Sequence, residues 1–463
     1  MDELYSATIT LVPFKTKIAS LWNDVHPPLF NGLIYLWSLA FGNSELALRM
    51  LPAFIGIATV PIAFLVFKKT FGILTAFMIA LLIVTLPSHI YYSQELRSYI
   101  LAFLFAMTSV GTLFWYLKEP SVKHRWLLAI SCAALFATHY IGIFFIISIF
   151  GIGVLGIPDH WQTKLKRSLH LAISIFLLIL PNLPHFLYKR VKMDEYWPDP
   201  VTVEIIKNTV VHMVDPINSY KEVLSISGLA ILVTYAALVI SATVISKYRF
   251  HGYFFADVII LVILSISPLV GVIAISLLSP QVTVLIPRIM IVFASPVVVL
   301  AGVGIVMIGN GRMMTSVVVL LMIFCGLWLY SNSYYTVATK SDFRSVAYEV
   351  GRLQDKHGNL VLISLENPLT TLKRGAYYWK MFNVPTDLII FPEKDMSEGK
   401  LVNFINEEMK KQEAKKLVLF SQHRPRSKYI IEVCDKYFRQ EEKKAFSGFG
   451  NEWTLTVIYT LGE

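Results

Sequence analysis

The sequence predicts a mostly α-helical, polytopic membrane protein that ends in a small α/β domain. Of its 463 residues, 55% are hydrophobic and only 16% are charged, whereas about a quarter of the residues in a soluble domain are charged. Its apolar residues fall into runs of about 18 to 24, the length that crosses a bilayer as a helix. The composition therefore excludes a soluble globule, a disordered chain or a nucleic-acid arm as a description of the whole chain.

About ten membrane-spanning helices are predicted between residues 46 and 335. Their approximate spans are 46–67, 71–92, 96–117, 125–140, 141–157, 167–188, 223–246, 254–278, 287–308 and 313–335. The fourth and fifth run together at Thr138-His139-Tyr140, so the sequence does not fix their boundary. Proline inside several spans is compatible with a bundle, where neighbouring helices satisfy the freed backbone groups.

The net charge of +10 comes from lysine and arginine in alternate short loops. Positive loops mark the cytoplasmic side of a membrane protein, so no nucleic-acid partner is expected. The opposite loops, the residues before 46 and the C-terminal tail are then extracytoplasmic. Cys132, Cys325 and Cys434 form neither a disulfide framework nor a metal-binding pair.

From about residue 336 to residue 463 the character of the chain changes. Charged residues become frequent, and the apolar runs shrink to strand length at 361–363, 417–420 and 453–461. Amphipathic helices are predicted at 342–353 and 429–438. We therefore expect three regions: an extracytoplasmic first loop over 1–45, a helix bundle over 46–335, and a soluble α/β domain over 336–463.

The first forty or so residues are expected outside the cytoplasm, yet no apolar helix precedes them in the sequence. Either the natural chain begins upstream of Met1 with such a helix, or the chain is a truncated form. The alternative is that this short segment crosses the membrane with the first helical hairpin.

The orientation brings a set of ionisable side chains to one face of the membrane. The set consists of Asp2, Glu3, Asp24, His26, Glu95, Arg97, His139 and Arg288. A protein this apolar that gathers acids, histidines and arginines at one face is expected to build a site there. The alternative is that they are helix caps and ordinary interface residues.

Such a set suits group transfer from a phosphate-bearing lipid. A carboxylate can take the proton of an acceptor hydroxyl, and arginine, histidine or a divalent cation can hold the phosphate as it leaves. A lipid donor explains a site at the membrane face, because its tail stays in hydrocarbon. The sequence contains no glycine-rich phosphate loop of the kind that binds soluble nucleotides.

Four stretches resemble the motifs of a known group of membrane enzymes. They are Asp24-Val25-His26-Pro27-Pro28-Leu29-Phe30, then Phe41-Gly42-Asn43-Ser44-Glu45 with Arg49, then Tyr92-Ser93-Gln94-Glu95-Leu96-Arg97-Ser98-Tyr99, and Pro287-Arg288 with Pro296 downstream. The pattern is similar to that of bacterial and archaeal glycosyltransferases of the RgtA/B/C/D-like group. That group is related to the dolichyl-phosphate-mannose-protein mannosyltransferases and to the lipid A aminoarabinose transferase, all of the C-type glycosyltransferase fold. Ile289 stands where the group usually has tyrosine.

The resemblance implies an inverting transfer from a polyprenyl-phosphate-linked sugar to a glycan, lipid or protein of the cell envelope. In such enzymes an acidic pair follows the first helix, and its aspartate is the proposed base. Asp2 and Glu3 match that pair in type and position, so Asp2 is expected to be the base and Glu3 to support it. The helix that precedes the pair in the group is missing from this sequence.

Each remaining residue has a functional and a structural interpretation. Asp24 and His26 are expected at the donor phosphate or at a metal ion, and the sequence does not choose between them; Asp24 alternatively caps the loop before Pro27. Glu95 and Arg97 are site residues or an ion pair at a helix start. His139 is a site or an interface histidine. Arg288 contacts phosphate or extends to the lipid head groups.

Two other functions remain open from the sequence. A transporter or lipid flippase would place ionisable residues at mid-membrane between repeated halves, and no repeat is found. A non-catalytic envelope-assembly subunit is compatible with the missing first helix. The segment 189–222, which contains Asp194, Glu195 and Asp215, is expected to be a flexible lid on the acceptor side.

Overall fold

The computed structural model divides the chain into two compact units. One comprises Met1–Val12 with Asn332–Glu463, and the other is Pro13–Ser331. The structure describes residues 2–11, 22, 24, 26–156, 160–191, 202–218, 224–249, 253–278, 285–335, 343–364, 375–386, 389–392, 396–422, 425–446 and 454–460. Each unit is described by itself.

The unit Pro13–Ser331 is a bundle of helices. They are α2 Pro28–Phe41, α3 Glu45–Phe71, α4 Ile73–Val84, α5 Pro87–Ser93, α6 Tyr99–Lys118, α7 Val122–Thr138, α8 Gly142–Gly156, α9 Trp161–Ile179, α10 Leu183–Val191, α11 Val203–Val211, α12 Ile226–Arg249, α13 Tyr253–Leu278, α14 Met290–Met307 and α15 Gly311–Ser331. Within the described residues, seven helices are long and apolar enough to cross a membrane, or eight if the bent pair α4–α5 is one span. The multi-pass membrane architecture predicted from the sequence is confirmed.

The bent pair corresponds to the predicted span 71–92. Helices α4 and α5 are inclined by 63° to one another. Pro87 is the first residue of α5, and Leu86 before it has an extended backbone with φ −82° and ψ 114°. Proline disfavours the helical conformation of the preceding residue and lacks an N–H to continue the ladder. The predicted single span is therefore two helices in the structure.

His139 settles the boundary that the sequence left open. Its backbone is extended, with φ −155° and ψ 121°, and it ends α7. The predicted spans 125–140 and 141–157 are the helices α7 and α8, of 17 and 15 residues. In the turn between them, the His139 ring contacts the rings of His26 and Tyr99.

Helix α2 lies in the segment that was expected to be a loop. Pro28 begins it at the position where proline is best tolerated, and Gly42 ends it with a φ of +80°, a conformation that glycine adopts without strain. Ser44 then caps α3 by accepting a hydrogen bond from the Ala47 N–H at 3.2 Å. The motif that contains Gly42 and Ser44 is thus a helix stop followed directly by a helix start.

Helix α14 is the central helix of the bundle, since 89% of it is buried. It packs against α4, α6, α12 and α13. Glycines on α14 permit this close approach: a Cβ on Gly304 would lie 2.2 Å from the Leu238 carbonyl oxygen, and a Cβ on Gly302 2.5 Å from the Ile79 side chain. Small residues at helix contacts are the usual means of packing helices in lipid.

The second unit is a small α/β domain. Its elements are α1 Asp2–Leu11, α16 Phe343–His357, β1 Leu360–Ser364, α17 Gly375–Met381, β2 Ile389–Ile390, α18 Glu398–Lys411, β3 Lys416–Gln422, α19 Pro425–Tyr437, β4 Arg439–Phe446 and β5 Thr454–Thr460. The five strands form one sheet in the order β2-β1-β3-β5-β4. Strands β1, β2 and β3 are parallel, while β5 runs antiparallel to β3 and β4.

The core of this domain lies between the sheet and helices α18 and α19. It contains Val361, Leu417, Ile405 and Cys434, all 0% exposed. The strands and helices predicted for this region are confirmed. Four further elements, β2, β4, α17 and α18, were not predicted, and β4 lacks the apolar pattern of a buried strand. That strand reads Arg-Gln-Glu-Glu-Lys-Lys-Ala-Phe, and its charges suit the edge position that it occupies.

Helix α1 belongs to this unit and not to the helix bundle. It packs against α17, and Ala7 and Ile9 are buried at 4% and 2% exposure. The amino-terminal end of the chain therefore folds with its carboxyl-terminal domain.

Replacing Gly304 with alanine is expected to destabilise the bundle by about 1–3 kcal/mol, because the new methyl group collides with a backbone carbonyl that cannot rotate away. The matched control is Gly326→Ala on α15, where a Cβ meets nothing within 4 Å. Thermal unfolding of the purified protein in detergent should show a lower midpoint for Gly304→Ala only. Equal midpoints for the two variants would contradict the described packing of α14 on α12.

Candidate active site

The predicted site residues of the bundle lie at one end of it, and basic residues lie at the other. Glu95 and Arg97 precede α6, His139 follows α7, and Arg288 precedes α14. Helix α6 has 20 residues, so its two ends are about 30 Å apart.

At the far end, Lys118 forms an ion pair with Asp257 at 3.2 Å and Lys69 contacts the His124 ring at 3.1 Å. These contacts join the ends of α3 and α6 to the starts of α7 and α13. The bundle therefore separates the two polar ends by one membrane thickness.

The loop before α2 carries a buried carboxylate. Asp24 is 3% exposed and accepts hydrogen bonds from the His26 backbone N–H at 3.1 Å and from the Asn31 side-chain amide at 2.5 Å. Asn31 lies on the first turn of α2, so the carboxylate fixes the loop to the helix that follows. This geometry supports a capping role for Asp24 and holds the His26 backbone in place.

Arg49 of α3 supports the loop between α5 and α6. Its Nε donates to Glu45 at 3.2 Å and its Nη1 donates to the Gln94 carbonyl at 2.9 Å. Gln94 is followed by Glu95, which is 8% exposed, and Arg97 lies two residues further at 6%. Arg49, from the motif that contains Ser44 and Glu45, thus holds the loop that contains Glu95 and Arg97. The two motifs are separate in the sequence but in contact in the structure.

A series of contacting rings crosses this end of the bundle. The ring centroids of His26 and His139 are 5.1 Å apart, those of His139 and Tyr99 5.8 Å, and those of Tyr99 and Tyr92 4.9 Å. Tyr92 then contacts His212 at 5.8 Å. The series joins the first loop, the α7–α8 turn, the start of α6, helix α5 and the end of α11. Residues more than a hundred positions apart in the sequence therefore lie together at this end of the bundle.

Two arginines affect the protonation of His139, which lies within this ring series. Burial, and secondarily the guanidinium groups of Arg97 and Arg288, lower the pKa of His139 to about 3. His139 lies in the turn between α7 and α8, outside both helices, and is neutral at physiological pH. Arg97, His139 and Arg288, predicted separately from the sequence, are brought together in the structure.

His212 is a member of the site that the sequence did not reveal. It is 0% exposed, and its Nε2 lies 2.5 Å from the Tyr92 hydroxyl oxygen. Burial, and secondarily the Arg288 guanidinium, lower its pKa to about 3. No motif flagged His212, because it follows α11 in a segment that was expected to be a flexible lid.

A second tyrosine–histidine pair, Tyr140 and His185, supports the loop before α2. The Tyr140 hydroxyl contacts His185 Nδ1, and His185 Nε2 lies 3.0 Å from the Trp22 carbonyl oxygen. Burial raises the pKa of Tyr140, and the Asp24 carboxylate raises it further. The loop that carries Asp24 and His26 is therefore held by α10 as well as by α2.

Five further residues singled out from the sequence are not among the contacts described above. Asp2 and Glu3 lie on α1, which belongs to the unit Met1–Val12 with Asn332–Glu463, and their roles stay predictions. Asp194 and its neighbour Glu195 fall outside the described residues. Asp215, by contrast, is fully buried and hydrogen-bonded, so the expectation of a flexible lid is wrong for the residues around it.

The described residues suit an anion better than a cation. No three His, Cys, Asp or Glu side chains of the described segments come together as a metal-binding group. Two guanidinium groups beside His139 oppose a second positive charge there, whereas arginine fits the geometry of phosphate oxygens. The residues around His139 therefore fit an anion and not a metal ion.

Comparison with protein families and solved structures agrees with this fold. Residues 25–185 match the model of the dolichyl-phosphate-mannose-protein mannosyltransferase family. No curated protein sequence matches the chain. The resemblance drawn from the sequence motifs is confirmed for that segment.

Solved structures similar to the chain include two of ArnT and one of AglB. ArnT from Cupriavidus metallidurans in the apo state has a TM-score of 0.61 at 12% identity, covering 100% of this chain and 94% of that one. ArnT bound to undecaprenyl phosphate has a TM-score of 0.51 at 9% identity, with 93% and 87% covered. The archaeal oligosaccharyltransferase AglB from Archaeoglobus fulgidus, with an inhibitory peptide and a dolichol-phosphate, has 0.50 at 10% identity, with 95% and 68% covered. The predicted C-type glycosyltransferase fold is confirmed.

The neutral state of His212 has a measurable consequence for stability. Between about pH 6.5 and pH 3 the unfolded chain binds a proton that the buried ring excludes, so folding stability falls as the pH is lowered, by up to about 1.4 kcal/mol per pH unit. His212→Gln removes this contribution, and the thermal unfolding midpoint should then fall less steeply below pH 6.5.

Thr209→Val is the matched control in the same segment. It removes a buried hydroxyl that donates to the Ile205 carbonyl at 2.6 Å, but it removes no titratable group. Its profile against pH should keep the wild-type slope. A wild-type slope in His212→Gln as well would show that the ring is protonated in the folded protein.

Proposed function

We propose that the chain is a membrane glycosyltransferase that moves a sugar from a polyprenyl-phosphate donor to an acceptor of the cell envelope, with inversion at the anomeric carbon. The site faces the extracytoplasmic side, as does the domain at the carboxyl end. The alternation of basic loops supports this orientation.

The observation that carries the proposal is the placement of Arg97 and Arg288 beside the His139 ring at one end of an apolar bundle. Two cations at a membrane face are suited to the phosphate of a lipid whose tail stays in hydrocarbon. Histidines that are neutral there leave the positive charge of the arginines to the phosphate, and can themselves donate or accept a hydrogen bond.

The similar proteins support the same donor class. ArnT, which shares the fold, was solved with undecaprenyl phosphate, and AglB was solved with a dolichol-phosphate. The matching family model is that of mannosyltransferases that use dolichyl-phosphate-mannose. Each of these ligands is a polyprenyl chain that ends in a phosphate, which is the chemistry that the two arginines recognise.

The proposed reaction is a direct displacement. The acceptor hydroxyl oxygen attacks the anomeric carbon from the side opposite the phosphate, and the bond from that carbon to the phosphate oxygen breaks. Asp2 takes the hydroxyl proton as general base, supported by Glu3. Polyprenyl phosphate leaves with the bonding electron pair, and Arg97 and Arg288 stabilise the charge that develops on it.

Asp24, His26 and Glu95 are proposed to shape the donor side of the site. The Asp24 carboxylate directs the His26 loop through its two hydrogen bonds. His26 contacts His139 and so lies next to the arginine-bearing region. Glu95 is buried at the same loop as Arg97.

Removing the Arg288 charge is expected to lower kcat/KM for the lipid donor by about 10²–10³-fold, since a preorganised group that stabilises developing charge is lost. Arg288→Gln should show this loss and Arg288→Lys a smaller one. The assay is release of polyprenyl phosphate from labelled polyprenyl-phosphate sugars, with envelope extract as acceptor and the protein in nanodiscs.

The control is Arg312→Gln, an exposed arginine at the start of α15. It removes the same charge away from the proposed site and should leave kcat/KM unchanged. Wild-type turnover in Arg288→Gln would exclude Arg288 from the phosphate site.

Asp2→Asn is expected to lower kcat by about 10²–10⁴-fold, the contribution typical of a general base, with expression unaffected. The matched control is Glu204→Gln, an exposed acid on α11 that pairs with Lys207 at 3.9 Å. Asp24→Asn should instead raise KM for the donor more than it lowers kcat, because it disturbs the His26 loop. If Asp2→Asn turned over at the wild-type rate, Asp2 would be dismissed as the base.

A further inference from the structure

Asp215 is a buried carboxylate that joins three parts of the bundle. It is 0% exposed. Its Oδ1 accepts hydrogen bonds from the Trp328 indole N–H at 2.8 Å, the Asn218 N–H at 3.2 Å and the Asn218 side-chain amide at 3.0 Å. Its Oδ2 accepts from the Ser225 N–H at 3.0 Å and the Ser225 hydroxyl at 2.5 Å. Both carboxylate oxygens thus accept hydrogen bonds from other residues of the bundle.

These donors come from separate elements. Trp328 lies near the end of α15, Ser225 directly precedes α12, and Asn218 lies in the turns after α11. Gly228 on α12 permits the approach, because a Cβ there would lie 2.8 Å from the Asp215 Oδ2. A buried charge is tolerated only with such a complete set of donors, so the carboxylate fixes the three elements relative to one another.

The same turns carry His212 into the site. The Asp215 N–H donates to the Val211 carbonyl at 2.8 Å, and the His212 N–H donates to the Asn208 carbonyl at 2.9 Å. One continuous hydrogen-bonded turn therefore connects the carboxylate to the imidazole. His212 contacts Tyr92 on one side, and the Arg288 charge acts on it. Helix α11 itself packs against the short turn Pro287–Ile289 that presents Arg288.

We propose that Asp215 is a positioning residue for the lipid-phosphate side of the site. By anchoring the turns after α11 to α12 and α15, it holds His212 against Tyr92 and keeps α11 packed on the turn that presents Arg288. The ligand class rests on the proposed function, namely a polyprenyl phosphate. Asp215 itself does not contact the lipid phosphate.

Asp215→Asn is the decisive variant. Its amide keeps one oxygen for the Trp328 indole, but its NH₂ group then faces the Ser225 N–H, which is also a donor. The turn is expected to loosen, with roughly ten-fold or faster hydrogen–deuterium exchange in residues 203–215 of the full chain in nanodiscs. Undecaprenyl phosphate should bind about ten-fold more weakly, and KM for the donor should rise more than kcat falls.

Trp328→Phe provides a second, milder test. It removes one donor from Asp215 and leaves the carboxylate with its other partners, so exchange and affinity should change in the same direction by a smaller factor. This variant keeps the proposal testable if Asp215→Asn does not fold.

The control for a general loss of stability is Thr112→Val. It removes the buried contact of 3.0 Å between the Thr112 and Ser131 hydroxyls, which joins α6 to α7. This variant should lower the thermal midpoint without changing exchange in residues 203–215 or affinity for undecaprenyl phosphate. If Thr112→Val weakened lipid binding as much as Asp215→Asn did, Asp215 would be a stabilising residue only.

Failure of the positioning role differs from failure of the proposed function. Unchanged exchange in residues 203–215 of both Asp215→Asn and Trp328→Phe would overturn the positioning role, whatever the protein binds. If the wild-type protein bound no undecaprenyl phosphate and transferred no sugar, the proposed function would fall, and with it the ligand assigned to this site. Faster exchange together with weaker lipid binding supports both.

Discussion

The central constraint on this molecule is the placement of two guanidinium groups, the buried one of Arg97 and the half-buried one of Arg288, beside imidazole rings at one end of an apolar helix bundle. Arg97 is 6% exposed and Glu95 8%, and a buried charge needs a partner in the protein or in a ligand. The nearby histidines respond by remaining neutral, as the lowered pKa values of His139 and His212 indicate. What remains is a region of positive potential with neutral hydrogen-bonding groups around it, which is an environment suited to a lipid phosphate.

The scaffold around this region explains why its motifs occur together. Gly42 and Ser44 end one helix and start the next, and Arg49 on that next helix holds the carbonyl of Gln94. Asp24 orders the loop of His26. The ring series from His26 to His212 connects that loop to the residues after α11. The residues of the sequence motifs thus have two different roles. Some carry a charge at the site, and others, such as Asp24 and Arg49, hold the backbone of the loops on which the charged residues lie.

Much of this organisation could be predicted from the sequence, because membrane spans and basic loops leave strong local signals. Counting the predicted helices is enough to place Glu95, Arg97, His139 and Arg288 at the same end of the bundle. The bend between α4 and α5 and helix α2 were missed, since both depend on proline and glycine within apolar stretches that read equally well as one span or as a loop. His212 and the structural role of Asp215 were missed for another reason. Their role arises from contacts with Tyr92 and Trp328, which are more than a hundred residues away, and local patterns carry no information about such partners.

Helix α1 has a consequence for how this protein can be altered. Its residues Ala7 and Ile9 are buried, and the helix packs against α17 of the carboxyl-terminal domain, so the two segments belong to one compact unit. Deleting the tail would leave an apolar helical stripe without cover at the start of the chain, next to the acidic pair. The tail and the leading segment are therefore expected to be inherited, exchanged or lost together.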